Sequence, residues 1–202
     1  MHSNAHRTIQ LLACLFVVIS LDLPGCAGRE PIPETADAIG CRFELAGVDS
    51  MRVSGIDLSG ITRYRDLPLY ENSSLRRGYD DRELPAQFTI SLKIVNPKGN
   101  GSTVRISSLE WTLLIRGIRA SHGIITDCLE IPPTGEPVLV RIPVNFDLAR
   151  HFDGSELAEI VELASDIGSN RKPSDSISLR IRPTLQTSMG PKRNKEAIHI
   201  SG

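Results

Sequence analysis

Aromatic residues are scarce in this chain, and charge of either sign is not in excess. Phe, Trp and Tyr make up 4% of the 202 residues, and the formal net charge is −1. A core must therefore be built mainly from Ile, Leu and Val, which suits strands. A near-neutral chain creates no field that attracts nucleic acid, so we expect no nucleic-acid partner. After the N-terminal segment there is no apolar run of about 18 residues that could span a bilayer.

Motifs for catalysis, metals and cofactors are also missing. No Ser/His/Asp or Cys/His arrangement occurs at a motif spacing, and we interpret His122 and His151 as turn or cap residues. The Gly-rich segment 98–102 is not closed by Gly-Lys-Ser/Thr and no helix pattern follows it, so it does not predict a phosphate-binding loop. We therefore predict no metal and no cofactor, and we expect that the protein is not an enzyme.

The N-terminal segment is predicted to be an export signal spanning residues 1–25. A weakly basic start precedes the apolar run 9–21, which is the pattern of a cleaved signal. The following Leu23-Pro24-Gly25-Cys26 resembles the lipobox of bacterial lipoproteins, in which cleavage leaves a lipidated cysteine as the first mature residue. Cys26 is thus the expected lipid attachment site. Ordinary cleavage nearby and an uncleaved anchor are the alternatives.

Residues 26–38 are interpreted as the lipidated cysteine and a flexible tether, because the segment is small, polar and Pro-bearing. Several acyl chains on one cysteine anchor a protein stably, so the membrane is an expected partner. Ala27 stands where Asp would favour inner-membrane retention, and the resemblance therefore favours the outer membrane. We expect a lipid-anchored, periplasm-facing protein of the bacterial cell envelope.

Two cysteines, Cys41 and Cys128, remain in the rest of the chain. An exported protein meets an oxidising compartment, so they are a candidate disulfide. The bond would be worth about 4–5 kcal/mol in the chain-entropy model if the Cα atoms lie within about 7 Å. The alternative is that both are small buried apolar residues.

Residues 39–202 are predicted to form one domain of alternating strands. Phe88, Ile90, Leu92 and Ile94 alternate with polar residues, and Asn96-Pro97 ends that strand. A second strand from Thr103 has Trp111 near its centre, and we interpret the segment 117–123 as a turn. The alternation over 138–148 is the longest in the chain, and Pro143 within it indicates an edge strand or a bulge.

Other segments complete the domain. An apolar series over 43–61, interrupted by glycines, predicts a first strand with a bend. Residues 153–156 have the spacing of a capping box, an apolar stripe with helical spacing follows, and Gly168 is placed for a C-terminal stop. The alternation over 177–182 then predicts the last large strand.

Residues 62–85 carry charges of both signs without a sustained period, and we interpret them as a long loop. One hypothesis is a loop that contacts a protein or lipid partner, with Tyr64, Tyr70 and Tyr79 as anchors. The alternative is a solvated insertion whose tyrosines cover a sheet edge.

Outward basic residues would form a stripe facing anionic groups if their strands shared one sheet, and a solvated face if not. These are Lys93, Arg105, Arg116, Arg141, Arg180 and Arg182.

The order of these segments resembles the LEA type 2 domain, also called the water stress and hypersensitive response (WHy) domain. The matching pieces are Leu92 to Pro97, Leu109-Glu110-Trp111, Ile115-Arg116-Gly117, His122-Gly123, Ile131-Pro132-Pro133 and Val138 to Leu148. Together with the strand pattern, the resemblance implies an all-β fold: an antiparallel β-sandwich of the immunoglobulin or fibronectin type III kind. We expect about seven strands and one helix before the last large strand.

The resemblance also implies a function, which composition alone does not. It suggests a membrane-tethered, non-enzymatic LEA type 2-like envelope lipoprotein that acts in stress (desiccation) protection or as a binding scaffold. The alternative is a carrier or binder of lipid or another apolar ligand, held between the two sheets or under the segment 62–85.

Overall fold

Two antiparallel β-sheets packed face to face form the molecule. A computed structural model describes residues 40–152, 154–169 and 175–202; the predicted export signal, the tether with Cys26, and Asp153 lie outside these residues. The strands of the described part are β1 (Arg42–Val53), β2 (Ile56–Asp57), β3 (Pro85–Val95), β4 (Val104–Ile115), β5 (Ile118–Ile125), β6 (Leu129–Ile131), β7 (Pro137–Asp147), β8 (Ile177–Thr187), β9 (Gly190–Arg193) and β10 (Ile198–Ser201). The helices are α1 (Leu69–Asp80), α2 (Leu148–His151) and α3 (Leu157–Gly168).

The strand order confirms the predicted all-β sandwich. Sheet A has the order β2-β1-β3-β7, and sheet B has the order β10-β8-β4-β5, with β6 paired to β4 and β9 paired to β8. The described strands exceed the expected seven because β2, β6 and β9 are short pieces of two, three and four residues. At the sides of the sandwich β1 lies near β10, and β5 lies near β7.

The space between the sheets is filled by the residues that alternate along the central strands. On β3, Phe88 is 4% exposed and Ile90, Leu92 and Ile94 are fully buried. Trp111 of β4 contributes to the same core from sheet B. Because each strand turns one residue in two inward, the predicted alternation is confirmed as the origin of the core.

Two predicted irregularities of the strands are also found. β7 pairs with β3 only, so it forms an edge of sheet A and accommodates Pro143, which has no N–H for a second neighbour. The first apolar series is a hairpin of β1 and β2, and β1 shifts its register twice against β3, once between Leu45 and Gly47. Such shifts mark β-bulges.

Helix α3 precedes the last large strand, as predicted, and packs against β1. It begins later than the capping-box spacing suggests, and Glu156 at its N-cap makes no side-chain cap bond. Its last residue, Gly168, lies so close to Met51 of β1 that an added Cβ would be 2.4 Å from the Met51 Cβ. Within the described residues no helix is long and apolar enough to cross a membrane.

The segment 62–85 is not a continuous loop, and that prediction is wrong. It contains a 3-10 turn at Tyr64–Asp66 and the twelve-residue helix α1. Leu75 is the one residue of α1 that is fully buried, so the helix has a narrow apolar face among charged residues. This composition hides the helical period from sequence analysis, because a stripe of one or two apolar residues is not a recognisable repeat.

The predicted turn over 117–123 is also wrong, because Ile118–Ile125 is strand β5. The chain reverses at Arg116 and Gly117, whose φ angles of 48° and 79° fit a two-residue hairpin loop with both residues in the left-handed region. Gly123 has a different role. It lies opposite Trp111, and an added Cβ would be 2.8 Å from the Trp111 ring.

Candidate functional site

Asn96, which belongs to the Asn-Pro pair at the end of β3, is fully buried. Its side-chain amide donates to the carbonyl oxygens of Ser102 and Ile131, both at 2.9 Å. Its Oδ1 accepts from Nδ2 of Asn100 at 2.7 Å. The Gly135 N–H donates to the main-chain oxygen of Asn96 at 3.1 Å. One buried amide therefore connects the β3–β4 turn to β6 and to the loop before β7.

This arrangement explains the Asn-Pro pair structurally. The bond from Asn96 to the Ile131 carbonyl is buried, and a buried acceptor that loses its donor costs about 1–3 kcal/mol. An asparagine side chain can donate twice and accept, which a hydrophobic residue cannot. The part of the motif that lies at Asn96 is thus a folding element and offers no surface to a ligand.

Two tyrosines hold helix α1 in place, Tyr64 from the preceding 3-10 turn and Tyr79 through the connection between α2 and α3. The Tyr64 hydroxyl donates to Oδ1 of Asn72 at 2.5 Å, and the Tyr79 hydroxyl donates to the carbonyl oxygen of Ser155 at 2.9 Å. Leu75, between these two attachments, is fully buried. The helix is therefore held by contacts at both ends and in the middle.

The N-terminal turn of α1 presents two large apolar side chains to solvent. Leu69 is 84% exposed and Tyr70 is 85% exposed. We call this pair the α1 surface. The three tyrosines thus have different roles: Tyr79 attaches the insertion to the rest of the domain, Tyr64 holds the insertion together internally, and Tyr70 is available to a partner.

The cysteines do not form the candidate disulfide. Cys41 is a free thiol that is 7% exposed, and burial raises its pKa to about 11. Cys128 is exposed and is not bonded to Cys41. The two residues lie at different depths, since Cys41 belongs to the core and Cys128 lies at the surface. A thiol with a raised pKa is a poor nucleophile at neutral pH, so Cys41 is a packing residue.

The two histidines have different structural roles. His151 ends α2, its Nε2 lies 2.6 Å from the carbonyl oxygen of Ala120, and its ring stacks on Phe146 with centroids 5.4 Å apart. It attaches α2 to β5. His122 is exposed within β5 and is a strand residue, so its interpretation as a turn or cap residue is wrong.

The basic residues considered as one stripe lie on both sheets. Lys93 and Arg141 are in sheet A, Arg180 and Arg182 are in sheet B, and Arg116 is in the β4–β5 turn. Two of the six are neutralised. Lys93 donates to Glu44 at 2.9 Å, a bond that lowers the pKa of that carboxyl. Arg105 pairs with Glu130 at 2.9 Å.

The described residues leave little space for an apolar ligand between the two sheets or under α1, where the carrier hypothesis places it. The side chains that point between the sheets are nearly all inaccessible, including Ile90, Ile106, Leu113, Ile142 and Leu179. Leu75 and Leu84 fill the region under α1 in the same way. This packing favours a solid core over a binding cavity.

Sequence reasoning placed Tyr70 in a partner-contacting segment but missed Leu69 and the helix that holds both. Two signals were available. Pro68 directly before the helix is a common start signal, and Leu75 and Tyr79 have the i, i+4 spacing of one helical face.

Comparisons with known proteins found no matching family model and no matching curated protein. Among solved structures, a protein from Archaeoglobus fulgidus is similar at 9% identity and a TM-score of 0.32, over 57% of this chain and 82% of that one. A protein provisionally described as late embryogenesis abundant (LEA) is similar at 13% identity and a TM-score of 0.39, over 84% and 73% of the two chains. A structural-genomics target is similar at 10% identity and a TM-score of 0.36, over 81% and 88%. Likeness at this level carries no argument about function.

Proposed function

We propose that this protein is a membrane-tethered, non-enzymatic binding scaffold of the bacterial envelope, of the LEA type 2 kind, that protects other macromolecules under water stress. The observation that carries the proposal is the α1 surface: a firmly attached helix that exposes Leu69 and Tyr70 at 84% and 85%. The ordered series of LEA type 2-like segments around Asn96-Pro97 supports the same proposal.

Two adjacent apolar side chains on a fixed helix are suited to contact. Burying a Leu side chain is worth about 1.5–3 kcal/mol. Tyr combines an apolar ring with a polar tip, which suits partly wet interfaces. Because Tyr64 and Tyr79 already hold the segment, little ordering entropy is lost on binding.

Such a surface fits a protective role. Proteins and membranes that lose water expose apolar area. A protein that contacts many such partners weakly needs an accessible apolar surface more than it needs a shaped pocket. The lipid anchor expected at Cys26 would keep this surface close to the membrane. Flexible attachment through residues 26–38 would let it reach nearby partners.

A dehydration experiment tests the proposal. A deletion strain is complemented with the wild-type gene, with Leu69→Ser/Tyr70→Ser, or with Leu139→Ser/Met189→Ser as a matched control, since Leu139 and Met189 are 62% and 86% exposed elsewhere. We expect survival after drying to fall in the deletion strain. The wild type and the control should restore it, and the α1 variant should not.

Equal protein abundance in the three complemented strains, measured by immunoblot, is required for the comparison. If the deletion strain dries and recovers like its parent, the protective role is wrong. If the deletion matters but the α1 variant restores survival fully, the role stands and the α1 surface is not its contact site.

A further inference from the structure

The outer face of sheet B brings together basic residues from separate strands. Thr112 of β4 lies opposite Arg180 of β8 and opposite His122 of β5. Glu110, two residues earlier on the same face, lies opposite Arg182. Side chains two residues apart on one strand point to the same face. The register therefore places Arg180 and Arg182 side by side next to Thr112.

These residues surround a depression of about 300 Å³ on the outside of the sheet. We call it the sheet B depression. Its lining includes Thr112 and Leu114 from the centre of the sheet, and Arg119, Arg180 and Arg182 around them. Arg119 joins from β5 because it lies opposite Leu114. Three guanidinium groups from two strands thus face one shallow space.

The positive charge of the sheet B depression is not balanced by the acids around it. Glu110 is the one carboxylate in its lining, and Arg193 already donates to that carboxylate at 2.5 Å. Arg182 reaches the same group only at 4.0 Å. Arg119 and Arg180 have no acidic partner among the described residues, in contrast to Arg105, which is paired within its own sheet.

One donor in the lining is left without an acceptor. Nε of Arg182 is buried, and no hydrogen-bond partner faces it within the described part of the protein. A buried donor without a partner is destabilising, and more so when it is charged. An anion that drew the Arg182 guanidinium outward would satisfy both its charge and this donor.

We propose that the sheet B depression binds a phosphate-type oxyanion, supplied either as free phosphate or as the phosphate of an anionic lipid headgroup. Guanidinium groups bind the oxygens of a phosphate in bidentate geometry. Three guanidinium groups offer more N–H donors than a single carboxylate can accept, which favours an anion with more oxygens. The Thr112 hydroxyl adds a neutral donor. The site lies away from the α1 surface and does not rest on the function proposed above.

The test uses the full-length protein in a neutral detergent, titrated with inorganic phosphate and followed by calorimetry. We expect Arg180→Gln/Arg182→Gln to weaken binding at least about tenfold, because charge-assisted bonds from two arginines are lost. Arg119→Gln should weaken binding independently. The matched control is Arg52→Gln/Arg141→Gln, two exposed arginines of sheet A, and it should change the affinity by less than about twofold. All variants should remain folded, with a single cooperative thermal transition.

A second arm separates the two sources. Vesicles of phosphatidylglycerol are compared with vesicles of phosphatidylcholine in a flotation assay with the wild type and the same variants, each also carrying Cys26→Ser so that the expected lipid anchor does not itself bind the vesicles. If the sheet B variants lose binding to phosphatidylglycerol vesicles but still bind inorganic phosphate, the result supports a headgroup site. If they lose binding to inorganic phosphate but still bind the vesicles, the result supports a free-phosphate site. If the sheet B and sheet A variants lose affinity equally, binding depends on the overall positive charge and not on this site, and the proposal is overturned. Failure of the wild type to bind either probe would overturn it as well.

Discussion

At the scale of single residues, Asn96 has the most demanding environment in the described structure. It is fully buried, and its side chain makes three hydrogen bonds, two within the β3–β4 connection and one to the end of β6. The amide donates to the carbonyls of Ser102 and Ile131, and the bond to Ile131 is buried. Removing the amide takes this donor away from both carbonyls, and a buried acceptor that loses its donor is the costly half of losing a hydrogen bond.

Asn96→Leu should therefore lower the free energy of unfolding by about 2–5 kcal/mol, since two carbonyls lose their donor at about 1–3 kcal/mol each. Urea denaturation followed by Trp111 fluorescence measures this. Asn145→Leu is the matched control, because Asn145 is exposed on the edge strand β7 and should change stability by less than about 0.5 kcal/mol. A loss of similar size in both variants would mean that the hydrogen bonds of Asn96 are not the cause.

The sequence indicated the position of Asn96 but not its bonds. An Asn-Pro pair after an alternating strand predicts a strand end, because Pro cannot donate to the sheet. Ile131, however, is 35 residues away from Asn96, and its carbonyl comes into reach only when β6 pairs with β4. The same limit applies to Cys41 and Cys128, whose different depths depend on pairing that no local pattern records.

At the scale of elements, α3 and α1 show what makes a helix recognisable. The buried residues of α3 recur along one broad face, and its position before the last large strand was predicted. The apolar face of α1 consists essentially of Leu75, so its sequence looks like a charged loop. Contact with the rest of the domain stabilises α1, so its sequence carries only weak signals, which are Pro68 before the helix and the spacing of Leu75 and Tyr79.

The contact between α3 and β1 can be tested at Gly168. A methyl group there would lie 2.4 Å from the Met51 Cβ, so Gly168→Ala requires the helix and the strand to separate. We expect a loss of about 1–3 kcal/mol in the free energy of unfolding, the usual cost of overpacking. This loss should appear although Ala favours a helix more than Gly does.

Gly47→Ala is the control for this measurement, because Gly47 lies on the same strand β1 and no atom lies within 4 Å of its added Cβ. It should be nearly neutral by thermal unfolding. A Gly168→Ala protein as stable as the wild type would show that the interface adapts without cost.

At the scale of the whole molecule, the proposed role depends on attachment to a membrane. Two cysteines of the N-terminal region, Cys14 and Cys26, lie outside the described residues. The lipobox resemblance assigns lipid to Cys26 alone. A lipidated cysteine holds a protein on the bilayer through its acyl chains, and the domain then remains close to the surface on its tether.

Cys26→Ser should release the protein from the membrane fraction and abolish labelling with radioactive palmitate. Cys14→Ser, within the predicted export signal, should leave both unchanged. Fractionation of cells that express each variant, with immunoblotting, measures the distribution. Labelled, membrane-bound Cys26→Ser protein would contradict the lipid attachment, and loss of both properties in the two variants alike would indicate a general export defect.

Local pattern was enough for the class of fold, because a side chain on a strand points inward or outward according to its place in a period of two. The alternations over 88–94, 138–148 and 177–182 correspond to buried and exposed faces in β3, β7 and β8. The features that join segments distant in the chain form only when the two sheets assemble. Arg119, Arg180 and Arg182 meet because β5 and β8 flank β4, and Leu69 and Tyr70 become a fixed surface because α1 is held by Ser155. Those arrangements depend on pairing and packing between segments far apart in the chain, which spacing along the chain does not encode.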